Sequence, residues 1–217
     1  MHFTSPRTGA FVITLATCAL LSGCGSSQLA ATDAAGIHTI QLSGFGEPHY
    51  SIQGRFVLRA TPEGTDKDVN FSDLLAKQGL HLGDEMKAAI TQALRSDGYQ
   101  IDDSGNADAI LEVQFDGAPP NSEPMYEGAP AIFQPEYSVH VTLTDARTKK
   151  KLFHQFYVYR DNSVSPIDGT ILLKPDPKFN FNSADDLYTD PKRAADGFQA
   201  AIPRVAQSVG TLLNKQR

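Results

Sequence analysis

The apolar pattern of this chain predicts an α+β fold, a mostly antiparallel sheet of about five strands with two main helices packed on one face, in the order ββαβββα. Three observations lead there. Leu82, Met86, Ala89, Ile90, Ala93 and Leu94 recur at the spacing of a helix and make one stripe. Residues 109–115 and 136–160 alternate apolar and polar side chains as strands do. Phe198, Ile202, Val205, Val209 and Leu212 make a second helical stripe towards the end.

In chain order, residues 37–42 (IHTIQL) read as a first strand and residues 54–60 (GRFVLRA) as a second, ended by the turn residues Pro62, Glu63 and Gly64. The intervening SGFGEPHYSIQG reads as a glycine-rich loop. Ser72 is an N-cap candidate for a short helical turn that reaches Lys77 and stops at Gly79. The first main helix follows along the 82–94 stripe. Asp84 and Glu85 suit the positive end of its dipole, and Gly98 suits the left-handed position that closes a helix. Burying Met86, Ile90 and Leu94 contributes about 1.5 to 3 kcal/mol each.

After the polar turn DDSGNAD, the segment AILEVQF places Ala109, Leu111, Val113 and Phe115 on one face. Residues 136–160 then form an antiparallel hairpin, with Tyr137, Val139, Val141 and Leu143 inward on its first arm. The second arm is apolar on both faces, Leu152, Phe156 and Val158 against Phe153, Tyr157 and Tyr159, which predicts a central or covered strand. Asp190 before Pro191 starts the last helix, and Pro203 predicts a kink or break near Ile202.

Ahead of this domain, an apolar run from Ala10 to Leu21 follows a short polar start bearing Arg7. About 12 residues is the length of a signal h-region, and a membrane-spanning helix needs about 20. The tetrad Leu21, Ser22, Gly23, Cys24 resembles the lipobox of bacterial lipoproteins. That resemblance implies removal of residues 1–23 and a diacylglyceryl thioether on Cys24, with the new amino terminus acylated. Residues 24–36 then make a lipidated cysteine and flexible tether, small and polar in composition, and residues 37–217 a single periplasmic domain. Several acyl chains on one residue hold a protein firmly to a membrane, where one chain would not. Gly25 and Ser26, with no Asp after the cysteine, resemble lipoproteins that proceed to the periplasmic face of the outer membrane, with the inner membrane as the alternative.

Acidic residues outnumber basic ones, for a formal net charge of −6 that becomes about −7 once Arg7 leaves with the signal. Nucleic acid, whose affinity for proteins comes from phosphates neutralised by Lys and Arg, is excluded as a partner on that ground. The basic run Lys149 to Lys151 reads as a solvated hairpin turn. With Cys18 removed and Cys24 alkylated, the mature chain has no thiol, so disulfides, thiol nucleophiles and thiolate metal sites are not expected. DDSGNADAILEV superficially resembles a calcium loop, but its sixth position is Ala107 and its twelfth is Val113 where a bidentate Glu belongs. His140 and His154 would face each other if Thr142 opposed Leu152; no third ligand is evident and no metal is expected. The chain has no G-x-S-x-G, no H-E-x-x-H and no phosphate-cradling glycine loop, and no catalytic residue is expected.

Two long insertions remain, residues 116–135 and 161–190. The first is proline-rich and carries Met125, Tyr126, Ile132 and Phe133, which either anchor a partner protein or fold back over the sheet. The second mixes Ile171, Leu172, Leu173, Phe179 and Phe181 with turn residues and reads as an irregular cover. The order lipobox, helix ending ALRSDGY, strand ADAILEVQF and hairpin also resembles small envelope-assembly lipoproteins such as the LptE family, a likeness of layout that transfers no functional residue. The expectation is a non-enzymatic accessory or assembly lipoprotein acting through protein contacts, with no cofactor besides the lipid on Cys24. The alternative is a periplasmic lipid or small-molecule binder.

Overall fold

A computed structural model describes residues 36–54, 70–117, 123–128, 132–161 and 169–214. Cys24, the tether and the expected strand beyond Gly54 lie outside these. The strands are β1 (Thr39–Ser43), β2 (Ser51–Gly54), β3 (Gln100–Ile101), β4 (Ala109–Asp116), β5 (Met125–Gly128), β6 (Phe133–Asp145), β7 (Lys151–Tyr159) and β8 (Thr170–Leu173). The helices are α1 (Phe71–Lys77), α2 (Leu82–Ser96), α3 (Ala184–Thr189), α4 (Pro191–Gln199) and α5 (Ile202–Asn214), with a 3-10 turn at Pro177–Phe179.

The fold is α+β, but its sheet is mixed where a mostly antiparallel one was expected. Antiparallel pairing holds for β4 with β6, β5 with β6 and β6 with β7. The pairs β1 with β3, β1 with β4, β2 with β5 and β7 with β8 are parallel. Parallel neighbours need a crossover between them, and α1 and α2 lie between β1 and its partners β3 and β4. Asp108 pins that junction: its Oδ2 accepts from His38 N (2.9 Å), Thr39 N (2.8 Å) and Thr39 Oγ1 (2.9 Å). The DDSGNAD turn that resembles a calcium loop thus holds a strand register.

The long β6 organises the rest. Its first residues, Phe133 to Glu136, pair with β5, and the remainder lies between β4 and β7. One face of the sheet carries Ile40, Leu42, Leu111, Val113, Val139, Val141, Phe153 and Tyr157, all buried in one cluster with Met86, Ile90, Leu94, Val205 and Val209 of the helices. Tyr157 and Tyr99 tie α5 down, donating to Ser208 Oγ (3.2 Å) and the Leu213 carbonyl (3.3 Å). As expected, β7 is an interior strand, flanked by β6 and β8.

Helix ends follow the sequence closely. Gly98 takes φ +85° after α2, Gly98 N donates to the Arg95 carbonyl (3.1 Å) and Tyr99 N to the Leu94 carbonyl (3.0 Å), a Schellman closure. The last helix breaks as predicted: α4 stops at Gln199 and α5 restarts at Ile202, so that Pro203 sits in a first turn, where its missing N–H costs nothing. Three expectations are corrected. Asn70, not Ser72, caps α1, accepting from Ser72 N at 2.9 Å. The glycine-rich loop contains β2, which pairs with β5, and the two long insertions supply β5, β8, the 3-10 turn and α3.

Candidate functional site

The break between α4 and α5 opens a cleft of about 510 Å³ against the end of β7 and the chain leaving β8. Local rules build each wall. Pro175 and Pro177 restrict the chain after Leu173, and Asp176 caps the 3-10 turn by accepting from Lys178 N at 3.0 Å. That N–H, with the Lys178 side chain beside it, holds the Asp176 carboxyl below its usual range. Across the cleft, the helix break places Arg204 in the first turn of α5, from which its Nη1 donates to the Lys174 carbonyl at 3.0 Å.

The charges pair unevenly. Lys178 meets Asp176 at 3.1 Å, and Lys192 meets Asp196. Neither the Lys174 ammonium nor the Arg204 guanidinium meets a carboxylate among the described residues. The floor is Tyr159, only 2% exposed, and its hydroxyl has no hydrogen-bond partner among the described residues. Burial pushes that hydroxyl's pKa up, while Arg204 acts in the opposite sense and Asp176 reinforces the rise. The hydroxyl oxygen is itself enclosed, with no surface open to the cleft. The cleft is lined by both signs of charge, Asp176 and Asp196 with Lys174, Lys178 and Arg204.

The residues expected to dock a partner are not gathered on one surface. Met125 and Tyr126 are buried in β5. The Tyr126 ring packs edge-on against Phe71 (6.4 Å), Phe181 (5.4 Å) and Phe198 (5.1 Å), and its hydroxyl donates to the Ala194 carbonyl at 3.1 Å. Phe133 is partly buried and forms a two-way backbone bridge with Phe181. Ile132, at 42%, is the large apolar side chain left exposed among the described residues. The fold-back reading therefore holds for Met125 and Tyr126, and Ile132 keeps the surface role open. The same rings pack around Phe181, and Arg193 stacks over it at 3.9 Å.

His140 and His154 come near each other by a different register. Thr142 opposes His154 and His140 opposes Phe156, so the imidazoles are diagonal neighbours with centroids 5.9 Å apart. Asp116 Oδ2 lies 3.3 Å from His140 Nε2. No cluster of three metal-ligating side chains occurs among the described residues. Desolvation lowers both histidine pKa values; Asp116 opposes this at His140, and Lys151 and then His140 add to it at His154. The unfolded imidazoles titrate near 6.5, so between that pH and the lower folded values the unfolded chain binds more protons and stability rises with pH. We expect the melting temperature to fall as pH drops through 6.5 and the fall to flatten in His140→Gln with His154→Gln. A double variant with an unchanged pH slope would contradict this.

No family model matches the chain, and no curated protein matches it. Among solved structures it is similar to protein XCC0632 from Xanthomonas campestris, of family DUF330, with 11% identity and a TM-score of 0.44 over 89% of this chain and 90% of that one. A candidate lipoprotein from Caulobacter crescentus gives 16% identity and a TM-score of 0.36 over 61% of this chain and 80% of that one. A candidate homologue of the neuraminyllactose-binding hemagglutinin from Helicobacter pylori gives 12% identity and a TM-score of 0.39 over the whole of both chains.

Proposed function

We propose that this chain is a lipoprotein of the bacterial envelope, anchored through acylated Cys24 at the periplasmic face of the outer membrane, and that it works as an accessory or assembly subunit by docking an envelope protein. The observation that carries this reading is the Leu21, Ser22, Gly23, Cys24 tetrad behind a short apolar run, followed by small polar residues. Among the described residues no helix is long and apolar enough to cross a membrane. Ile132, exposed on the residue before β6, is the apolar contact offered to a partner.

Growth with a radioactive fatty acid should label the wild type and leave Cys24→Ala unlabelled; equal labelling of both would remove the anchor from the account. A photoreactive residue in place of Ile132 should capture an envelope protein in intact cells. Tyr126 is unsuitable for that probe, because it is enclosed by the three rings of the core. A second reading, a lipoprotein that binds a small ligand, is favoured by one observation: the cleft over Tyr159.

A further inference from the structure

We propose that the turn between β6 and β7, which carries Arg147, Lys149, Lys150 and Lys151, lies on the anionic lipid headgroups of the membrane that anchors the chain. The proposal rests on the acylated Cys24 and adds which end of the domain meets the bilayer. Strand register brings the turn and the tether together. Ile40 opposes Ala109 and Ala109 opposes Asp145, so β1 and β4 begin where β6 ends and β7 begins, and this end of the sheet is flush. Asp108 ties the two sides directly: its Oδ2 accepts from His38 N at 2.9 Å, and its carbonyl accepts from Ala146 N at 2.9 Å. Only β4 separates β1 from β6, a distance of about 10 Å, so the chain enters the domain beside the turn. Gly36 is the twelfth residue after Cys24, within about 40 Å of it at full extension.

Four of the five residues from Arg147 to Lys151 are basic, and all five are exposed. The rest of the chain is acidic, so a free domain would gain little from an anionic surface. Held within reach by its lipid, the same domain meets that surface in an intramolecular step, and a few cations decide which side turns towards it. The carboxylates nearest the turn are engaged by protein. Asp145 Oδ1 accepts from Arg147 N, Thr148 N and Thr148 Oγ1, Asp108 Oδ2 accepts from His38 and Thr39, and Asp102 Oδ1 accepts from Ser104 N. Lys149 supplies an independent observation. At φ +60° it is the non-glycine residue with a left-handed backbone among the described residues, a conformation that a β-carbon disfavours and glycine accepts freely. The backbone gains nothing from a lysine there, so its place follows from the charge it carries into solvent at the tethered end.

The lipidated chain tests this when reconstituted in vesicles of phosphatidylcholine, or of equal parts phosphatidylcholine and phosphatidylglycerol, with flotation and site-resolved lysine acylation as readouts. It should float with both kinds of vesicle. Lys149 and Lys151 should react about fivefold more slowly on the anionic vesicles, while Lys87 and Lys178 keep their rates. High salt should remove the protection, because the Debye length falls from about 8 Å at physiological ionic strength to about 3 Å at 1 M. Lys149→Gly should melt at or above the wild-type temperature and weaken the protection of Lys151, which separates the charge from the fold. Arg147→Gln with Lys150→Gln should abolish that protection. A chain that floats with both vesicles and shows equal lysine rates overturns the proposal and leaves the anchor standing, as does protection that is the same on neutral and anionic lipid or unchanged in both variants. Failure to float with phosphatidylcholine removes the anchor, and the proposal falls with it.

Discussion

Gly197→Ala is expected to destabilise the protein by about 2 to 3 kcal/mol, although it replaces a glycine inside a helix with the best helix former. In an exposed helix the same change stabilises by about 1 kcal/mol. Here α4 lies against β5 so closely that a β-carbon on residue 197 would collide with the Tyr126 hydroxyl oxygen and come within 3.3 Å of Phe179 Cβ. Tyr126 cannot swing away, because its ring is enclosed by Phe71, Phe181 and Phe198 and its hydroxyl is bonded to Ala194, three residues before the glycine. Moving α4 instead would disturb Phe198, which is fully buried.

The decisive experiment is a double-mutant cycle read by chemical denaturation. Tyr126→Phe alone loses one hydrogen bond, about 1 kcal/mol. It also deletes the atom that blocks the new methyl group, so Gly197→Ala should cost much less in the Tyr126→Phe background than in the wild type. Strict additivity of the two changes would show that the collision is relieved some other way.

The helices were the legible part of the fold because their signals are local. The stripe from Leu82 to Leu94 and the closing Gly98 are contained within one helix and its cap, and they describe α2 as it stands. Pro203 announces a break for the same reason, since a proline excludes a hydrogen bond to its own preceding turn. The parallel pairs are of another kind. Ile40 meets Ala109 and Ser51 meets Met125 across long sequence separations, and no residue near either position encodes the encounter. Short strands add to the difficulty: MYEG and SIQG are too brief for alternation to stand out from a loop. The hairpin was found with the wrong register, because its turn spans Asp145 to Lys150, with Lys149 at φ +60° and a register shift after Leu143, features a period-two pattern does not contain.

The candidate site was almost invisible for a related reason. Tyr159 falls in phase with Phe153 and Tyr157 on the core face of β7, so the pattern registers its ring and ignores its oxygen. Its neighbours in the cleft, Lys174 and Arg204, are dispersed surface cations in the sequence and converge only because α5 restarts beside the end of β8. Met125 and Tyr126 misled in the opposite direction. Apolar residues among prolines suit a docking segment, and the structure uses both in the core.

Glu47→Ala should destabilise the protein by about 2 to 4 kcal/mol and loosen the start of α2 first. The helix has no side-chain cap of its own: His81 stands at the capping position and makes no such bond. The cap comes from the glycine-rich loop instead. Glu47 Oε1 accepts from Leu82 N at 3.1 Å and from the Tyr50 hydroxyl at 2.6 Å, and Oε2 accepts from Gly83 N at 3.0 Å. The carboxylate also faces the positive end of a fifteen-residue helix. The loop can approach because Gly83 has no side chain; a β-carbon there would lie 2.5 Å from the Phe45 carbonyl oxygen. Truncation therefore strands two backbone donors, those of buried Leu82 and Gly83, together with the hydroxyl of Tyr50, itself 6% exposed. For a chain of this size the loss corresponds to a melting temperature lower by roughly 5 to 15 °C. Amide hydrogen exchange separates this cap from general destabilisation: Leu82 and Gly83 should exchange faster in Glu47→Ala by a larger factor than Leu94 at the other end of the helix. Uniform acceleration along α2 would mean that the loop stabilises the whole fold without capping the helix.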